Sequence, residues 1–364
     1  MTVSDVTKIL EELCPLHYAE DFDNVGLLVG NSKAVVSGIL VTLDTLENVV
    51  DEAIEKKCNL IISFHPIIFK GLKKITGRDY VERVVIKAIA NNIAIYSMHT
   101  ALDNSPEGVN AKICEVLEIK NPKILIPKKN SIKKLTTHVP NDKADFLRTK
   151  LFDAQAGTIG NYSNCSFNTE GVGSFKPNAT SNPTIGQAGK LHYEKETQIQ
   201  ITFSSVHERS ILNALFKNHP YEEVAYEIIT LENANQNLGM GMVGFIENEM
   251  KENDFLNYLK LKMNAKVVRH SSLLNKTIKS VAVLGGSGAF GIEAAIEANA
   301  DIYITSDIKY HEFYKADNKI VIADIGHFET EQFTKNLLVD YLTKKIPNFA
   351  VTLSESITNP IKYF

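Results

Sequence analysis

Short runs of consecutive apolar residues, each followed by a stretch with helical spacing, dominate both ends of the chain and are missing from its middle. Near the start, Gly38–Leu43 (GILVTL) is such a run. Leu46–Lys57 follows with Val49, Val50, Ala53 and Ile54 on one helical face. Asn59–Ser63 (NLIIS) is a second run, Tyr80–Asn91 a second helix, and Ile93–Met98 (IAIYSM) a third run. Near the end, Ile278–Leu284, Asp301–Thr305 and Lys319–Ala323 read as strands, while Gly291–Ala298 and Glu331–Lys344 read as helices. Strands without polar alternation are buried on both faces, and strand–helix–strand repetition implies crossovers in a largely parallel sheet.

From about Ile132 to Leu231 the texture turns polar and rich in Gly, Ser and Asn, as in Gly157–Gly186. Glu196–Phe203 alternates with a period near two, and Val206–Asn218 is helical. This pattern predicts an antiparallel α+β module. Pro127–Ser131 and Asn233–Asn237 read as linkers into and out of it. The chain is thus expected to be one α/β domain built from two βα halves, residues 1–128 and 236–364, interrupted by an inserted α+β domain at 129–235.

Composition narrows the function classes. With 39 Lys plus Arg against 43 Asp plus Glu, the net charge is −4 and no bulk field recruits nucleic acid or an anionic membrane. Cys14, Cys58, Cys114 and Cys165 are dispersed with no CxxC, which fits a reducing compartment rather than a disulfide framework. The N-terminus reads as an amphipathic helix beginning near Ser4-Asp5, not as a signal peptide. No apolar run approaches the ~18 residues of a membrane span. A cytoplasmic protein with no membrane partner is the expectation.

The candidate chemistry lies at predicted strand ends. His65 follows Asn59–Ser63; His99 and Asp103 follow Ile93–Met98; His327 and Glu331 follow Lys319–Ala323. Ligands of parallel α/β sheets gather at the carboxyl ends of strands. His327 and Glu331 are four apart, so a helix starting near His327 or Phe328 turns both side chains the same way. Imidazole and carboxylate hold divalent ions at ~2.0–2.2 Å. A carboxylate such as Asp103 or Glu331 can bridge two ions, and such pairs generate hydroxide near neutral pH. Plainer readings stand beside these: His65 as a core or loop histidine, His327 with Glu331 as a solvated helix pair, and Asp103 as a cap before Ser105-Pro106-Glu107. His311 also follows a strand. His17, His138, His192, His207 and His270 have no supporting spacing and are read as structural.

Val283–Gly291 (VLGGSGAFG) contains G-x-G-x-x-G between a strand and a helix, the setting of a dinucleotide fingerprint, with Asp307 near the distance of its ribose-binding acid. A packing turn and an anion contact are the competing readings. No G-x-S-x-G elbow or Gly-Lys-Ser/Thr phosphate loop supports nucleophilic or nucleoside-triphosphatase chemistry.

Several stretches together resemble the NIF-three-like proteins, whose bacterial members are called GTP cyclohydrolase 1 type 2 homologues. They are Asp21–Gly30 (DFDNVGLLVG), Ser63–Phe69 (SFHPIIF), His99–Asn110 (HTALDNSPEGVN), Gly285–Gly288 (GGSG), Thr305–His311 (TSDIKYH) and Asp324–Glu331 (DIGHFETE). Gly157–Phe167, Gly171–Pro177 and His219–Ile228 resemble the long form of that family. The resemblance implies a toroidal homohexamer with a dinuclear metal centre, in which His65, Asp103, His327 and Glu331 bind metal. The ions would be zinc, iron or manganese, one or two per subunit. It further implies an insert similar to the trimeric PII and copper-tolerance fold, and a metal-dependent hydrolase, with a nucleotide or phosphorylated small molecule as partner. A non-catalytic, ligand-sensing metal assembly is the alternative. Two departures stand out: Phe64 occupies the place of the family's first histidine, and Ser306 a place where glycine is common.

Overall fold

The computed structural model describes all 364 residues. They form two compact units, Met1–Pro127 together with Gln236–Phe364, and Lys128–Asn235. The first unit opens with α1 (Val3–Leu13), nucleated by a reciprocal cap. Thr2 Oγ1 accepts from the Asp5 N–H at 3.3 Å, and the Thr2 N–H donates to Asp5 Oδ2 at 2.8 Å. There follow β1 (Gly26–Val29), β2 (Ile39–Thr42), α2 (Glu47–Glu55), β3 (Leu60–Ser63), α3 (Tyr80–Ala90), β4 (Ala94–Ser97), α4 (His99–Asn104), α5 (Val109–Val116) and β5 (Lys120–Lys128).

The second unit carries β6 (Ile132–Pro140), α6 (Ala144–Asp153), β7 (Phe167–Phe175), β8 (His192–Ser204), α7 (Glu208–Asn218) and β9 (Tyr226–Thr230). Its sheet is antiparallel in the order β7-β8-β6-β9, the β-α-β-β-α-β arrangement. Ile199, Ile201 and Phe203 of β8 pack with Leu147 and Leu151 of α6 and Ile211 and Leu215 of α7. Because side chains alternate along a strand, Glu196, Gln198 and Gln200 occupy the opposite face.

The chain then returns to the first unit through β10 (Asn235–Lys251), α8 (Glu252–Lys262), β11 (Arg269–His270), β12 (Thr277–Ser287), α9 (Ile292–Glu297), β13 (Ile302–Ser306), β14 (Val321–Asp324), α10 (His327–Glu331), α11 (Thr334–Lys345) and β15 (Val351–Leu353). The expected single, largely parallel sheet is two mixed sheets, β1-β4-β3-β2-β15 and β11-β14-β13-β12-β10-β5. The strands β2-β3-β4 and β12-β13-β14 are parallel, while β1, β10 and β11 pair antiparallel. Alternation sorts each strand between two cores. Ile39, Val41, Leu60 and Ile62 share a cluster with Val281, Val283, Ile302 and Ile304, completed by α1, α5, α8 and α11. Leu40, Ile61 and Ile95 face α2 and α3 instead, and Ala282, Tyr303 and Ile322 face α9. Burial on both faces is why these strands carry no polar alternation.

Two further expectations are corrected. The linker stretches are half strand, because β5 runs to Lys128 and β10 starts at Asn235. The glycines of β10 let β5 approach: a Cβ on Gly239 would lie 2.1 Å from Ile126 O. The last helix is broken into α10 and α11 at Gln332-Phe333. No helix is long and apolar enough to cross a membrane.

The C-terminal segment is tied down by Glu52 on α2. Its carboxylate accepts from Ser354 Oγ at 2.7 Å and from the Glu355 and Ser356 N–H groups at 2.8 and 3.1 Å, and pairs with Lys56 at 2.8 Å. Burial alone would raise this carboxyl, but these donors outweigh it and hold it at about 2. A depressed carboxyl stabilises the fold above its ordinary pKa of 4.5 and loses that contribution as pH falls toward 2. Glu52→Gln is therefore expected to cost about 1–3 kcal/mol at pH 7, with the gap to the parent chain closing on acidification; urea unfolding across pH measures it.

Candidate metal centre

The carboxyl ends of β3, β4 and β14 deliver the candidate side chains. His65 lies two residues beyond β3. Asp103 sits on α4, which starts two residues after β4. His327 and Glu331 begin and end α10, three residues past β14. Gly326, at φ +99°, makes the sharp turn into α10. His65, His327 and Glu331 each offer a donor atom within 4.8 Å of the others, a group that could hold a metal ion.

Glu331 is 3% exposed. Its Oε2 lies 3.1 Å from His65 Nε2 and 3.2 Å from His327 Nε2, yet has no hydrogen-bond partner. Asp103 Oδ1 is likewise buried without a hydrogen-bond partner. Buried carboxylate oxygens left bare are rare in folded proteins and call for an ion or equivalent partner. Asp103 is outside the three-residue group, but its carboxyl is raised well above the usual range, by burial first and by the Glu331 charge second.

The ring nitrogens facing away from Glu331 are fixed by carboxylates. His65 Nδ1 is 2.8 Å from Asp44 Oδ1, and His327 Nδ1 is 2.7 Å from Asp307 Oδ2. His99 repeats the pattern, with Nδ1 2.8 Å from Asp23 Oδ1 and its ring centroid 5.4 Å from that of His65. A carboxylate on Nδ1 orients an imidazole so that Nε2 is free for metal. Burial would lower the His65 imidazole, but Asp44 and Glu331 outweigh it and push it up to about 10. His327 rises to about 9 against burial through Glu331 and Asp307. Glu331, raised by burial, is held down at about 2 by the two imidazoles. The cluster therefore takes up positive charge as protons, and a divalent cation would replace those protons.

Asp44 and Asp23 were missed from the sequence. Asp44 was findable, since it follows β2 just as His65 follows β3. His99 at φ +27° and Asp307 at φ +57° are both left-handed, so backbone strain gathers around the cluster. His311 lies outside it, flanked by Tyr310 and Tyr314.

The glycines of Val283–Gly291 have packing tasks. A Cβ on Gly288 would meet Thr305 Oγ1 at 2.0 Å, and one on Gly291 would meet the Tyr303 hydroxyl at 2.3 Å. Asp307, the candidate ribose acid, is engaged by His327. Gly286, at φ +70°, would place a Cβ 2.4 Å from Glu331 Oε1. Gly286→Ala is thus expected to cost about 1–3 kcal/mol through backbone strain and to displace the Glu331 carboxylate. Thermal melting and elemental analysis of the same sample check both effects.

Residues 1–360 match the Duf34/NIF3 (NGG1p interacting factor 3) family. The chain belongs to the Duf34/NIF3 family. A Bacillus subtilis (strain 168) member named GTP cyclohydrolase 1 type 2 homolog is 36% identical over 98% of this chain and 97% of its own. A Staphylococcus epidermidis protein of the same name is 34% identical over the full length of both. Among solved structures, a Bacillus cereus protein related to NIF3 superposes with a TM-score of 0.81 at 34% identity, covering 100% of this chain and 99% of that one. A Staphylococcus aureus protein superposes with a TM-score of 0.80 at 29% identity over the same shares. In this Duf34/NIF3 chain Phe64 is fully buried among the residues between the two sheets. Its ring centroid lies 4.9 Å from that of His65 and 5.7 Å from that of His99. A phenyl ring borders the cluster and gives it no donor.

Proposed function

We propose that this protein is a homohexameric metal-binding member of its family that hydrolyses a nucleotide-like or phosphorylated small molecule, with His65, Asp103, His327 and Glu331 holding one or two divalent ions. The reading rests on one observation: Glu331 Oε2 is buried against two imidazole nitrogens and hydrogen-bonded to neither. Two imidazoles and two carboxylates form a donor set suited to zinc, iron or manganese. A bound ion would supply Lewis acidity toward a phosphoryl or ring oxygen. The chain's own part is orientation and charge. Asp44 and Asp307 keep both Nε2 atoms turned toward Glu331, and the names of its relatives suggest GTP as the first substrate to try. In this reading residues 129–235 are a PII- or copper-tolerance-like insert between halves 1–128 and 236–364, a view supported by the β-α-β-β-α-β order.

A second reading, a non-catalytic metal assembly, is favoured by Phe64, which leaves the centre short of one donor. Elemental analysis of the purified hexamer, followed by turnover of GTP and a nucleotide panel with and without chelator, separates the two. Chelator-sensitive hydrolysis supports the first reading. Retained metal with no turnover supports the second, and absence of metal removes both.

A further inference from the structure

A cavity of about 630 Å³ lies within the unit Lys128–Asn235, well within the range of small-molecule sites. Its floor is the sheet face turned away from α6 and α7, where His138, Glu196 and Gln198 lie beside Gly171 and Gly173 of β7. Such a face is ordinarily open to solvent or to another chain. Here two connections cover it, the long one between β7 and β8 and the one between α7 and β9. They are tied together: the Asn182 N–H donates to both Glu222 carboxylate oxygens at 3.0 and 3.2 Å, and Thr184 Oγ1 donates to Pro220 O at 2.6 Å.

The charge of the lining is one-sided. Glu196, Glu222 and Glu223 border the cavity against the single ammonium of Lys176. Glu196 is the telling residue. It is 8% exposed. Its Oε1 accepts from the Tyr221 hydroxyl at 2.7 Å, while its Oε2 accepts no hydrogen bond from the chain and borders the cavity. Room for that carboxylate exists because position 173 is glycine; a Cβ there would lie 2.2 Å from Glu196 Oε2. Oε2 keeps access to the cavity, so a cation entering there can pair with the carboxylate. Phe175 and Tyr221, with ring centroids 5.8 Å apart and planes tilted by 58°, add aromatic surface in the same cavity, the companion an organic cation takes.

We infer that this cavity is a binding site for a small organic cation, an amine- or guanidinium-bearing metabolite with an apolar stretch. Its charged end sits on Glu196 Oε2 and its body lies against Phe175 and Tyr221. Anionic nucleotides and carboxylic acids are disfavoured by the same lining. The site is independent of the metal centre, whose donors all belong to the other unit.

The test is calorimetric titration of the full-length protein with spermidine and with arginine, using ATP and citrate as anionic counter-probes. At least one cation is expected to bind and neither anion to do so. Glu196→Gln keeps the acceptor for Tyr221 and removes the charge; it should weaken cation binding by about tenfold or more. Gly171→Leu is the second variant, because a Cβ there meets no atom within 4 Å. It should project into the cavity beside Glu196, leave melting unchanged and sharply weaken binding. Both variants should keep the metal content of the parent. Silence from both cations at millimolar concentration, binding of ATP instead, or parent-like cation affinity in both variants would overturn the assignment.

Discussion

Glu331→Gln is expected to empty the metal centre, lowering metal per chain by at least about a hundredfold in affinity. Losing a hydrogen-bonding neighbour of a ligand typically weakens metal binding by 10–100-fold, and loss of a ligand does at least as much. The substitution is nearly isosteric, so the buried position still packs. What changes is charge: Glu331 is the carboxylate between His65 and His327, and without it the two imidazoles keep only Asp103 of the proposed donor set to offset a cation. Elemental analysis after gel filtration reads the loss directly, and circular dichroism confirms that folding survives. Asp44→Asn and Asp307→Asn should give intermediate losses, since each residue orients one ring without facing Glu331. Metal retained at parent stoichiometry in Glu331→Gln would place the ion elsewhere and sink the proposed site.

The second large effect is a gain. Phe64→His places a fourth imidazole beside His65 and His99, where the family resemblance expects one. Metal per chain should rise, toward two where the parent holds one. The metal-free variant should be less stable than the parent, because an imidazole without a partner in the core between the sheets costs about 1–3 kcal/mol in addition to lost apolar burial. Added zinc or manganese should restore the melting temperature, as binding to the folded state alone must. Melting with and without metal, paired with elemental analysis, distinguishes a ligand from a mere core defect. A destabilised variant that metal does not rescue would mean that the phenyl ring has not taken a ligand's place.

The elements most easily read from the sequence were the strands buried on both faces. Gly38–Leu43 and Asn59–Ser63 became β2 and β3 to within a residue or two, because a short strand covered on both sides has no position left for a solvated side chain. The placement of His65, His327 and Glu331 at strand ends followed from the same pattern. What stayed hidden was set by partners far along the chain. The start of β10 read as a linker because its neighbour β5 lies more than a hundred residues earlier. Asp23 and Asp44 were not singled out because their function, holding a ring nitrogen, exists only once His99 and His65 arrive. The Gly285–Gly291 turn imitates a fingerprint in its spacing, but the packing reading set beside it fits the crowding by Tyr303, Thr305 and Glu331. His138, read as structural, borders the cavity of the middle unit.

His65 and Asp103 precede the interrupting unit, and His327 and Glu331 follow it. During synthesis, a ribosome must therefore extrude nearly the whole polypeptide before a cation can find its full complement of donors. For the proposed site, loading would be the last act of maturation rather than a seed for it. A nascent chain stalled anywhere upstream of α10 would display one histidine and one aspartate of the proposed donor set with nothing to close around them.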